Sequence, residues 1–127
     1  MSLSFKLLIL FGMIFCHIVD DYYLQGILAK MKQKKWWQEN APDKLYEHDY
    51  IIALFMHAFS WSFIITLPTL LVSADYLIMC FMIFLNTCIH AVVDDLKANV
   101  HCINLVQDQV VHIIQIIATW LVIVIFT

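Results

Sequence analysis

The sequence predicts an all-α integral membrane protein, a four-helix transmembrane bundle with His and Asp side chains buried inside it. Three observations carry this. The 127-residue chain is 63% hydrophobic and only 13% charged, with a mean hydropathy of +0.84, too little polar surface to coat a soluble core of this size. Four apolar stretches each reach the ~20 residues that a helix needs to cross a hydrocarbon core of ~30 Å. Gly and Pro occur only twice each, which leaves little material for hairpin turns, and the alternating strands of a barrel are absent from the sequence.

The first helix is expected over residues 3–29, interrupted by Asp20-Asp21. Lys6 ahead of an apolar run gives it the look of a signal peptide, but no small-residue cleavage site follows, so the segment is expected to stay as a helix. The second helix is expected over 49–72, with a kink at Pro68, which removes one backbone donor. A turn at Val72-Ser73-Ala74-Asp75 leads into the third, over 75–97, and the fourth covers 103–126. No internal repeat or low-complexity tract breaks the chain, so 1–127 reads as a single transmembrane domain.

The connection 30–48 carries Lys30, Lys32, Lys34, Lys35 and Lys44. By the positive-inside rule this end is cytoplasmic and both termini lie on the other side of the membrane. Trp36 and Trp37 beside those lysines suit an anchor among lipid headgroups. The net charge of −3 and the lack of a basic stripe argue against nucleic acid as a partner. Cys16, Cys80, Cys88 and Cys102 show no paired spacing and read as small packing residues. A chain this short can pair with itself, although no GxxxG face points to a homo-oligomer.

Ionisable groups inside membrane helices cost roughly 2.5–3.5 kcal/mol for each central Asp on insertion scales, and here they are ordered. His17 and Asp21, His90 and Asp94, and Asp108 and His112 are each four residues apart, which places an imidazole and a carboxylate on one helix face. The second helix adds His57, with Trp61 one turn further on. His57, His90 and His112 lie about eight or nine residues from the Lys-rich end, or ~12 Å, and Asp94 and Asp108 at roughly half that depth. Four segments running in alternate directions thus bring seven groups to one level.

Three chemistries fit such a level. Interhelical hydrogen bonds would make it structural, with Asp94–Lys97 and Asp20–Lys30 as simple ion pairs near the interface. Neutral imidazoles with carboxylates suit a divalent metal, zinc above all, with His17, Asp21, His57, His90, Asp94, Asp108 and His112 as candidate ligands. A chain of Asp and His is also what a proton relay uses. Gln25, Lys30, Asn86 and Gln109 are candidates for substrate contact or for orienting the ligands.

The segment His17-Ile18-Val19-Asp20-Asp21-Tyr22-Tyr23-Leu24-Gln25 resembles the opening H-x3-D-(aromatic)-x2-Q motif of domain-of-unknown-function family 3307, small polytopic membrane proteins of bacteria and phages. The resemblance continues through Lys30, His57, the H-x3-D-x2-K of His90, Asp94 and Lys97, and the D-Q-x2-H of Asp108, Gln109 and His112. Tyr22 stands where the family motif has Phe. The resemblance implies a helical fold in a bacterial (host) inner membrane and the same polar residues, and no activity. Chemistry alone supplies the functional expectation: a membrane-embedded, metal-dependent hydrolase with Asp94, Asp108 and Lys97 as catalytic groups, acting on a lipid or amphiphilic phosphate or ester.

Overall fold

The computed structural model describes residues 1–72 and 75–126, with side chains described up to residue 124. Ser73 and Ala74 of the expected turn lie outside the described residues. Among the described residues six α-helices follow in order: α1 (Leu3–Val19), α2 (Leu28–Met31), α3 (Lys34–Asn40), α4 (Asp49–Thr66), α5 (Tyr76–Ala98) and α6 (Leu105–Phe126). Among the same residues four segments are long and apolar enough to cross a membrane: Leu3–Leu24, Lys44–Leu71, Tyr76–Ala98 and Leu105–Val124. α1 packs against α4 and α6, and α5 packs against α4 and α6. The four long helices therefore form a square in which α1 faces α5 across the diagonal.

Local chemistry sets the helix starts. The Ser2 hydroxyl accepts from Phe5 N–H at 3.3 Å, and the Asp75 carboxylate accepts from Leu77 N–H at 2.7 Å. Before α6, Asn104 and Gln107 form a reciprocal capping box, each side-chain oxygen accepting from the other's backbone N–H at 2.9 Å.

Two expected irregularities take definite form. The first helix is interrupted at Asp20-Asp21. At Asp20 it widens into a π-helical turn, Asp20–Leu24, in which Gln25 N–H bonds Asp20 C=O at 3.1 Å. Gly26, at φ +51°, then takes a left-handed conformation that glycine tolerates best. The expected kink at Pro68 takes the form of a 3₁₀ turn, Leu67–Leu71, where the α-helical ladder would need the donor that proline lacks. This turn packs on α1. A Cβ added to Gly12 would stand 3.2 Å from Pro68 Cβ, so Gly12 permits the close approach.

The bundle is built inside out. Its main apolar cluster, Ile9, Met13, Trp61, Ile65 and Ile116, sits away from the Lys-rich end. Toward the Lys-rich end the interior turns polar, and His17, Asp20, His57, His90, Asp94, Asp108 and His112 are each at most 2% exposed. Phe11, Phe15, Phe59, Phe81 and Phe84 meanwhile stand on the outer surface. Aromatic rings outside and carboxylates inside is the arrangement a hydrocarbon solvent favours and water does not.

Candidate metal centre

The centre begins with the π turn. Asp20 and Asp21 are neighbours in this turn, and both are buried, at 1% and 9% exposed. Asp20 accepts from Ser60 Oγ at 2.8 Å and lies 3.8 Å from His57 Nδ1. The expected Asp20–Lys30 pair does not form, and Lys30 is exposed. Gln25 donates to the Asp21 carbonyl, so it supports the turn's backbone.

His57 Nε2 sits at the middle, 3.2 Å from His90 Nε2 and 3.4 Å from both Asp21 and Asp94. His112 Nε2 is 3.3 Å from Asp108 Oδ1 and 3.9 Å from Asp94 Oδ1. His90 and His112 stack with ring centroids 4.1 Å apart, Trp61 stacks on His90 at 4.3 Å, and Trp61 and His112 are themselves 5.3 Å apart and tilted. The three rings form a compact triangle beside the apolar cluster that contains Trp61.

Three groups of side chains each bring their donor atoms within 4.8 Å of one another: Asp21, His57 and His90; His90, Asp94 and His112; and Asp21, Asp108 and His112. Ligands on a tetrahedral ion with ~2.0 Å bonds stand about 3.3 Å apart. The Asp21–His57–His90 group already has two edges at 3.4 and 3.2 Å. Asp108 Oδ1 and His112 Nε2 are buried and face each other at 3.3 Å, the spacing of two ligands on one ion. The donor set is one that could hold a metal ion.

His17 falls outside all three groups, and its bonds show why. Trp61 Nε1–H donates to His17 Nδ1 at 2.8 Å. Nδ1 is therefore the acceptor nitrogen, and Nε2 carries the proton toward Gln109 Oε1, 3.0 Å away. That fixes the amide of Gln109, whose Nε2 donates to Asp21 at 3.0 Å and Asp108 at 3.1 Å. One amide thus clamps two carboxylates from α6 and the π turn, and His17 orients the clamp.

Two lysines reach the centre. Lys97 Nζ donates to Asp108 at 2.6 Å, which replaces the expected Asp94–Lys97 pair. Lys32, from the turn between α2 and α3, takes Asp94 at 2.6 Å. Asn99 holds that turn, donating to Lys32 C=O at 3.0 Å and accepting from Lys34 N–H at 2.7 Å. Asn86 lies one layer beyond the centre. It donates to Thr119 at 2.7 Å and accepts from Gln115, whose oxygen stands 3.4 Å from His112 Nδ1. Asp20 and Lys32 are the members that sequence reasoning missed. A DD doublet before an aromatic pair signalled the former only weakly, and nothing local signalled the latter.

Fold and centre together define a class of small all-helical protein, with membrane-length helices around a buried His/Asp cluster. The chain belongs to the family described as protein of unknown function (DUF3307), which matches it over residues 9–127. No curated protein and no solved structure matches it.

Proposed function

We propose that this is an integral membrane protein whose His/Asp cluster holds a divalent cation, zinc by its donor set, in a hydrolase acting on a lipid or amphiphilic phosphate or ester. The carrying observation is a charge count. Asp20, Asp21, Asp94 and Asp108 contribute −4, and Lys32 and Lys97 contribute +2, which leaves −2 with the imidazoles neutral. A buried double negative charge among membrane helices demands a partner. One divalent ion balances it, bound through neutral imidazoles and ionised carboxylates.

When bound, such an ion lowers the pKa of a coordinated water and supplies a nucleophile at neutral pH. The chain's own residues do the rest. Asp94 and Asp108 would accept a proton, Gln109 holds Asp21 and Asp108 together, and Lys97, 34% exposed along its side chain, would meet a phosphate. The lysine-rich connection makes that end cytoplasmic, with both termini opposite, in a bacterial inner membrane.

Elemental analysis of the purified protein tests the reading. Zinc or a similar ion should be found at one per chain and should be lost from His90→Ala/Asp94→Ala while that variant still inserts and folds. A metal-free preparation that stays folded and active in chelator would sink it. The same −2 charge also accommodates two protons, and the hydrogen-bonded run His112–Gln115–Asn86–Thr119 favours a relay as the second reading. Proton flux in liposomes, abolished by Asp108→Asn, would support that instead.

A further inference from the structure

Two cavities meet at Tyr50, where the lysine-rich connection joins α4. The first, of about 370 Å³, is enclosed by that connection, with Lys34, Trp37, Asp43, Lys44, Glu47 and His48 around it and Tyr50 at its edge. The second, of about 230 Å³, is a groove between α4 and α5. Buried Leu54 and Ala91 form its floor, and exposed Ile51, Phe55 and Val92 form its rim. Each approaches or reaches the roughly 300–1,000 Å³ of a small-molecule site, and they share a wall residue.

We propose that the two cavities are one site for a single phospholipid with a zwitterionic phosphate–amine headgroup. The phosphate lies between Lys34 and Lys44, the amine faces Asp43 and Glu47, and one acyl chain runs along the α4–α5 groove. The polar cavity carries two lysines and two carboxylates, so a headgroup bearing both charges meets a partner for each. An anionic headgroup would leave the carboxylates facing a negative charge. The apolar groove opens on the outer surface of two membrane-length helices, where a hydrocarbon chain is the available occupant.

The junction between the halves is prearranged. Lys34 Nζ sits 4.8 Å from the Tyr50 ring centroid, which holds the cation above the groove's mouth. The Trp37 indole N–H is committed to Met31 C=O at 2.7 Å, and its ring stacks on Tyr46, so it forms a fixed wall at headgroup level. Asp95, at the polar end of the groove, accepts from Asn99 at 2.7 Å through Oδ1. Ala91 is small enough to leave the floor open.

This inference goes beyond the metal reading and does not depend on it. The test is native mass spectrometry of the full chain in detergent, titrated with phosphatidylethanolamine, phosphatidylglycerol or soluble phosphoethanolamine. One phosphatidylethanolamine should be retained per chain, with phosphatidylglycerol and phosphoethanolamine each bound at least about tenfold more weakly, a 1.4 kcal/mol difference. Lys34→Glu/Lys44→Glu should lose about tenfold in affinity, and Lys34→Arg/Lys44→Arg should keep it. Val92→Trp, an exposed position where folding is not at stake, should block the groove and weaken the lipid alone. Equal retention of both lipids, untouched by either set of variants, would overturn the site. Phosphoethanolamine binding as tightly as the lipid would overturn the groove's part in it. Metal content, read on the same samples, should stay unchanged in all of these variants.

Discussion

Gln109 joins three partners at the centre through one neutral side chain. Its oxygen accepts from His17 and its amide nitrogen donates to Asp21 and Asp108, so three helical segments are tied through one planar group. Gln109→Leu would strand buried polar partners, each costing about 1–3 kcal/mol. A clear fall in the thermal midpoint in detergent is the expected result. Gln109→Glu should be worse than Leu although it is closer in shape, because it sets a third carboxylate against two others. Equal melting of the two variants would show that the clamp works by packing and not by charge. The i, i+4 pairs were legible in the sequence because helical periodicity alone places them. The clamp was not, since the tautomer of His17 depends on Trp61, 44 positions away.

At the scale of the element, the decisive departures from regular helix are the π turn and the 3₁₀ turn. Asp20, in the first, escaped the sequence reading because the i, i+4 spacing that marks His17 and Asp21 passes it by. The structure buries it against Ser60 and His57. Lys32 escaped for a different reason, because its reach to Asp94 spans 62 positions and leaves no local pattern. Helix positions, by contrast, were largely readable, since a membrane-length apolar run has few alternatives. The 3₁₀ turn makes its own prediction. Gly12→Leu would drive a side chain into Pro68, already 3.2 Å from where a Cβ would sit. The expected destabilisation is about 1–3 kcal/mol, read by thermal unfolding. Unchanged melting would mean that α1 slides freely past the turn.

For the whole molecule, charge and solvent are coupled. If the cluster holds the proposed divalent cation, that ion should also be a folding partner. Zinc at a hundredfold excess over its Kd should add about 2.7 kcal/mol of stability, seen as a rise in melting temperature that chelator reverses. Binding requires neutral imidazoles and ionised carboxylates, so protonation opposes it and the increment should shrink as pH falls. An increment independent of pH would place the ion somewhere other than this cluster.

The ring cluster offers one more consequence. Trp61 lies flat against His90 at 4.3 Å, while Trp36, Trp37 and Trp120 lie elsewhere in the chain. With those three replaced by Phe, the protein would carry a single tryptophan, in direct contact with its own centre. Its emission would respond when a neighbouring imidazole gains a proton or when a quenching ion such as copper arrives. The bundle thus contains its own optical gauge, readable in an intact membrane without a label.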